Sequence, residues 1–205
     1  MGLRLRLLAL WTPSWIVRQE LEKIQNVTVA ALTELLHEHL PNNDPKTEDV
    51  DARDFENVGE LRQTMAKRQA ALVDALADAM GRDTAVKVGR EALFAVGERL
   101  GSENRSRLGV GLGRGDLVRA AKIMYRVLGI DFNIAWQGPG EATVTVDRCA
   151  LSENYSSLTC MVLSATDEGV VHGLNPDITM KFEKHITDGC KNCTAKIKQI
   201  GREKP

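Results

Sequence analysis

The sequence predicts an α+β protein in which amphipathic helices precede two strand pairs that are separated by one more helix. Four segments repeat apolar residues at three- and four-residue steps, the period of a helix: 19–40, 59–80, 84–100 and 116–129. Two shorter segments, Ile130 to Trp136 and 142–146, flank the turn Gln137-Gly-Pro-Gly140, and this arrangement is typical of a β-hairpin.

The last third of the chain repeats this order with a helix and a second hairpin. Residues 156–166 are helical in character, and Gly169 and Gly173 are expected to break the segment that follows. Apolar residues alternate from Ile178 to Ile186, and Asp188-Gly189 is a turn signal before a final strand at 193–200.

Glycine, proline and acidic residues mark the predicted ends of elements. Gly81 and Gly101 are expected to end the second and third helices, and Asp116 is expected to cap the fourth, which ends at Gly129. Residues 44–60 carry seven acids against Lys46 and Arg53, which indicates a solvated connector. We therefore predict an N-terminal helical lobe with its connector at 1–56 and a ligand-binding domain at 57–205.

Composition excludes several classes of function. The 205 residues include 27 Lys and Arg against 28 Asp and Glu, and only 4% are aromatic. A chain so nearly neutral has neither the charge nor the rings that nucleic-acid binding requires. The apolar stretch from Leu7 to Ile16 is too short for a membrane span and lacks a signal cleavage site. We expect a cytoplasmic protein that binds neither nucleic acid nor membrane.

All four cysteines lie in the last third, with the spacing C-x10-C-x29-C-x2-C: Cys149, Cys160, Cys190 and Cys193. A Cys-x-x-Cys turn lets two thiolates face one ion, and four soft ligands suit tetrahedral zinc or, alternatively, a [4Fe-4S] cluster. His185 and His172 flank this region as possible additional ligands. Four unrelated buried thiols, a disulfide or a dithiol redox pair are the other interpretations.

The segment from about Thr84 to Ile200 resembles the 4-vinyl reductase-type domains and the related L-2-amino-thiazoline-4-carboxylic acid hydrolase family. The similar features are the Gly-rich helical segment Gly89–Gly101, the hairpin 130–146, the helix that bears Cys160, and the ending Thr187-Asp-Gly-Cys-Lys-Asn-Cys-Thr-Ala-Lys-Ile197. The resemblance implies a ligand-binding fold that trafficking-complex subunits share. It also implies Cys160 and Cys193 as zinc ligands, with His185 near a further ligand position and Cys190 as an additional cysteine.

The resemblance leads to three functional hypotheses. The first is a small-molecule-binding or sensing domain with a cysteine-bound metal. The second is a hydrolase of the aminothiazoline-carboxylate type that cleaves a C–N bond. Its nucleophile would be Cys149 or Cys160 and its base His172 or Asp147, and the spacing does not select among them. The third is an iron–sulfur redox or accessory subunit.

The expected partners are a small-molecule ligand and a second protein chain. Trp11 and Trp15 precede the first long helix and are candidates for an interface. Since related folds often pair, we expect a homodimer or a subunit of a complex.

Overall fold

The computed structural model describes residues 3–39, 55 and 57–200. Within these ranges the chain forms six α-helices and one antiparallel sheet of four strands. The helices are α1 (Leu3–Leu10), α2 (Ser14–His39), α3 (Val58–Met80), α4 (Arg82–Leu108), α5 (Arg114–Leu128) and α6 (Ser157–Leu174). The strands are β1 (Ile130–Gly138), β2 (Glu141–Cys149), β3 (Ile178–Lys184) and β4 (Cys193–Gln199). The predicted α+β class is confirmed.

The sheet places the two hairpins side by side, because its order is β1-β2-β4-β3. β2 and β4 form the centre, and Val146 lies opposite Cys193 at one end of their ladder. One face of the sheet packs on α4, α5 and α6 through alternating apolar residues such as Val144, Met180 and Ile197. The helices and this face together enclose the main core.

Helices α4 and α6 pack in close backbone contact, and glycines make this contact possible. A Cβ atom on Gly97 would lie 2.1 Å from the backbone oxygen of Thr166, and one on Gly169 would lie 2.1 Å from that of Phe94. Gly101 is equally constrained against Val170. The sequence-based helix ends at Gly101 and before Gly169 are therefore wrong, since these glycines lie inside helices and serve close packing.

The other boundaries agree more closely. Gly81 and Gly129 follow the ends of α3 and α5 as predicted, both with positive φ. Asp116 is not the cap of α5, because Gly113 takes that position. The Asp116 carboxylate instead accepts hydrogen bonds from the Gly111 N–H group, at 3.1 Å, and from Arg119.

Two sequence-based predictions remain open at the level of the fold. The acidic connector falls almost entirely outside the described residues, and the division into two units at residue 56 stays a prediction.

α1 was not predicted and packs beside α5, whose Arg126 donates hydrogen bonds to the Leu8 and Ala9 carbonyl oxygens. None of the described helices combines the length and apolar composition that crossing a membrane requires.

Candidate functional site

A cavity of about 80 Å³ lies where the helices meet the end of the sheet that carries Cys193. Residues of α2, α3, α5 and α6 supply the helical part of its lining, and all four strands contribute to the sheet wall. Its surface is mostly apolar, but three cysteines, two tyrosines and one aspartate contribute polar atoms: Cys149, Cys160, Cys193, Tyr125, Tyr155 and Asp167. A mainly apolar pocket with a few convergent polar groups is the usual form of a small-molecule site.

Cys193 is the first residue of β4, and of the three thiols in the cavity lining its thiol ionises most readily. Its Sγ accepts a hydrogen bond from the Ile186 N–H group at 3.2 Å, in the 3-10 turn that precedes it in the fold. A hydrogen bond from the Cys160 thiol, followed by that from Ile186, lowers the pKa of Cys193 to about 7 although burial opposes this. A thiolate is the nucleophilic form of cysteine, so Cys193 is the candidate nucleophile.

Cys160 and Cys149 stay protonated beside it. The hydrogen bond with Cys193, together with burial, raises the pKa of the Cys160 thiol, which therefore acts as the donor of the pair. Burial raises the pKa of Cys149 to about 11. Of the three thiols that line the cavity, only Cys193 reaches the thiolate state near neutral pH.

Asp167 brings a carboxyl group to the same cavity. It lies seven residues after Cys160 on α6, and this spacing places the two side chains on one face of the helix, two turns apart. Burial, then the negative charges of Glu168 and Cys193, raises the pKa of Asp167 to about 7. Asp167 can therefore both give and accept a proton near neutral pH, which is the requirement for a general acid and base.

An ion pair behind the cavity fixes the helix that carries Cys160 and Asp167. Arg90 on α4 donates to Glu168 Oε2 at 2.6 Å and to the Met161 carbonyl oxygen, also at 2.6 Å. Glu168 Oε1 accepts a hydrogen bond from the Phe182 N–H group at 3.1 Å. These contacts join α4, α6 and β3, so the cavity wall is held on three elements.

A hydrogen-bonded chain of neutral groups borders the opposite side. The Tyr155 hydroxyl donates to Gln69 Oε1, and Gln69 Nε2 donates to Thr28 Oγ1 at 2.7 Å. Burial raises the pKa of Tyr155, so its hydroxyl stays neutral. These side chains satisfy one another and leave this wall uncharged. Thr166 lines the cavity as well, and in the described structure its Oγ1 is buried without a hydrogen-bond partner.

The remaining sequence-predicted site residues lie elsewhere. Cys190 does not line the cavity. His172 bonds through Nδ1 to Glu98 Oε1 at 2.8 Å, and Asp147 accepts a hydrogen bond from Asn133 at 2.7 Å. His185 is buried, with Nδ1 3.3 Å from Asp188 Oδ2, and it stacks on Phe182.

No group of three or more His, Cys, Asp or Glu side chains in the described ranges is arranged to hold a metal ion. The fit of zinc or of a [4Fe-4S] cluster to the four cysteines is thus not apparent in this arrangement. The metal site stays a prediction of the sequence, and no chemical step below is derived through it.

Sequence reasoning missed Asp167, although a signal existed. Cys160, Ser164 and Asp167 follow the i, i+4, i+7 pattern of one helix face and all three line the cavity. The predicted helix ended at residue 166, one residue before the aspartate, because Gly169 and Gly173 were interpreted as helix breakers.

The sequence model of the L-2-amino-thiazoline-4-carboxylic acid hydrolase family matches residues 60–197, two thirds of the chain and all the elements from α3 to β4 except their outermost residues. The chain belongs to this family. The family resemblance predicted from the sequence is confirmed. No curated protein is similar enough to the chain to count as a relative.

Two solved structures are distantly similar to this family member. A trafficking protein particle complex subunit 3 from Naegleria fowleri, covalently bound to palmitic acid, is 14% identical, with a TM-score of 0.41 over 88% of this chain and 95% of that one. An H-NOX protein from S. oneidensis in the Fe(II)NO ligation state is also 14% identical, with a TM-score of 0.41 over 89% of this chain and 97% of that one.

Proposed function

We propose that this chain hydrolyses a C–N bond at an sp² carbon, with Cys193 as the nucleophile and Asp167 as the acid and base. The observation that carries the proposal is that both groups line one cavity and both have a pKa of about 7. The family match supports a hydrolase, and the compound named by the family, a cyclic aminothiazoline, offers such a C–N bond.

The first half of the reaction forms a covalent intermediate. The Cys193 thiolate adds to the carbon between the two nitrogens and the sulfur of an aminothiazolinium ring. Asp167 gives its proton to the ring nitrogen. The bond from carbon to that nitrogen then breaks, and its electron pair leaves with the amine. The lone pair of the exocyclic nitrogen forms a double bond to the carbon in its place. The enzyme sulfur is then bonded to a cationic carbon, and the adjacent Asp167 carboxylate stabilises this charge.

The second half regenerates the enzyme. Asp167 takes a proton from a water molecule as the water oxygen bonds to the carbon. The Cys193 thiolate then leaves as the carbonyl forms, and the hydroxyl proton passes to the liberated amine. The products are a carbamoyl thioester and an ammonium group, which together equal the substrate plus one water. Cys160 is placed to donate its hydrogen bond to the Cys193 sulfur each time that sulfur is negative.

The test is turnover of L-2-amino-thiazoline-4-carboxylic acid and of 2-amino-2-thiazoline, followed by mass spectrometry for a product one water heavier. Cys193→Ala is expected to abolish turnover, and Asp167→Asn to slow it by about a hundredfold or more. Cys190→Ser is the matched control, because Cys190 is a cysteine outside the cavity. Wild-type turnover that Cys193→Ala retains would overturn the assignment of the nucleophile.

A metal-bound sensing domain is the second candidate. It is supported by the cysteine spacing in the sequence and by the position of Cys149, Cys160 and Cys193 in the lining of the same cavity. Zinc is the expected ion, and a [4Fe-4S] cluster in a redox or accessory subunit is the alternative. Metal and sulfide analysis of protein purified without oxygen separates the two, since zinc gives no colour and a cluster absorbs visible light.

Self-association through the N-terminal segment is a further part of the proposal. Trp11 and Trp15 are 72% and 67% exposed, and Leu10 beside them is 81% exposed. Such apolar groups are common at interfaces. A homodimer mass in solution that Trp11→Ser with Trp15→Ser reduces to a monomer would support it, and a wild-type monomer would refute it.

A further inference from the structure

The cavity that contains Cys193 and Asp167 carries acidic groups and no basic ones. Among the described residues that line it there is no lysine, arginine or histidine. The guanidinium of Arg90, behind this wall, hydrogen-bonds Ser164 at 3.1 Å but forms its ion pair with Glu168 at 2.6 Å. A ligand carboxylate would therefore be buried beside Asp167 without a counter-charge, which costs several kcal/mol in a buried site.

A second cavity of about 60 Å³ adjoins the first and is almost wholly apolar. The two share five lining residues, among them Tyr125, Thr166 and Asp167. Beyond these, the second cavity is walled by aliphatic and aromatic side chains that include Ala121, Phe132 and Val171. Together the two spaces approach the size of a cavity of about 150 Å³ that holds one benzene molecule.

We infer that the substrate of this site is a small cationic amidine or isothiourea ring that carries an apolar substituent in place of a carboxylate. The ring lies against Asp167 and Cys193, and its N–H groups donate to the Asp167 carboxyl and to Thr166 Oγ1. The apolar substituent enters the second cavity. This inference takes the cavity of the proposed function as the binding site, and it assigns to it a substrate that keeps the cationic ring but lacks the carboxylate of the acid that the family description names.

The test measures binding rather than turnover, in full-length Cys193→Ser protein, by isothermal titration with three probes. These are 2-amino-2-thiazoline, which is a cation at neutral pH, its 4-carboxylic acid, and its 4-methyl derivative. The cation is expected to bind at least about a hundredfold more tightly than the acid, since the carboxylate of the acid would be buried unpaired. The methyl derivative is expected to bind more tightly than the unsubstituted ring.

Two variants in the same background assign these preferences to the two cavities. Asp167→Asn should remove most of the preference for the cation, while Asp147→Asn, which changes an exposed aspartate, should not. Ala121→Leu fills the apolar cavity and should abolish the gain from the methyl group while the unsubstituted ring binds as before. Ala30→Leu, on the exposed face of α2, is its matched control.

The outcomes separate this inference from the proposed function. The inference is overturned if the acid binds as tightly as the cation, if no cation binds, or if Ala121→Leu leaves the gain from the methyl group unchanged. If the cation binds as expected but wild-type protein hydrolyses neither thiazoline, the inference stands and the hydrolase falls. If the acid is both bound more tightly and hydrolysed, the hydrolase stands and the inference falls.

Discussion

Replacing Asp167 by asparagine should remove activity. It should also make the protein increasingly more stable than wild type as the pH rises. In the folded chain burial raises the pKa of Asp167 from its ordinary value of 3.8 to about 7. The folded state therefore binds more protons than the unfolded state between these two pH values. By linkage, the contribution of Asp167 to stability is complete below pH 4 and is lost as the pH rises to 7.

The size of the effect follows from the same two values. A difference of about three pH units corresponds to about 4 kcal/mol, at about 1.36 kcal/mol for each unit. Asparagine keeps the shape of the protonated acid and does not titrate. The free energy of unfolding of Asp167→Asn minus that of wild type should thus increase by about 3 kcal/mol from pH 4 to pH 7, because the folded group is still half protonated at pH 7, whatever the constant offset between amide and acid.

Urea unfolding followed by far-UV circular dichroism at pH 4, 5, 6 and 7 measures this difference. Asp147→Asn controls for the loss of an aspartate, because Asp147 is exposed on the sheet and hydrogen-bonds Asn133. The range ends at pH 7 so that the ionisation of Cys193 adds little to the slope. If the wild-type and Asp167→Asn stabilities run parallel over the whole range, Asp167 is not held protonated by burial and the acid–base assignment loses its basis.

Three further predictions concern packing, thiol reactivity and metal content. Gly97→Ala should lower the free energy of unfolding by about 2 kcal/mol, a fall of about 4–8 °C in Tm, because its Cβ would lie 2.1 Å from a backbone oxygen. Gly138→Ala, whose Cβ meets no atom within 4 Å, should leave the Tm within about a degree of wild type. At pH 7.5 methyl methanethiosulfonate should modify Cys193 faster than Cys149, whose pKa burial raises to about 11, and equal rates by peptide mapping would contradict the thiolate assignment. Treatment with a chelator should leave hydrolysis unchanged if Cys193 acts alone, and lost activity restored by zinc would favour the metal hypothesis.

The sequence predicted the order of elements well because each element carries a local signal. Helical periodicity and alternating strands depend on residues a few positions apart, and the structure confirms α2, α3, α5 and the two hairpins near the predicted positions. The errors occurred where a local signal has two physical meanings. Gly101 and Gly169 have the composition of helix ends, but the contact that requires them is with another helix, and no local pattern reveals that contact.

The site was harder to predict for the same reason. The cysteines were recognised as a set, and the structure places three of them around one cavity but leaves Cys190 outside its lining. Which thiol ionises depends on the Ile186 N–H group and the Cys160 thiol, which reach Cys193 only through the tertiary fold. The base depends equally on burial, and an aspartate on a helix gives no sign in the sequence that its pKa is raised.

The central claim is that Cys193 attacks the substrate carbon, and acid quenching of a single turnover tests it most directly. Protein mixed with 2-amino-2-thiazoline, quenched within milliseconds and digested, should yield the Cys193 peptide with the mass of the opened ring added. Asp167→Asn should change the amount of this adduct and Cys190→Ser should not. An adduct on Cys149 or Cys160 would contradict the account. So would a Cys193→Ala protein that still turns over the substrate.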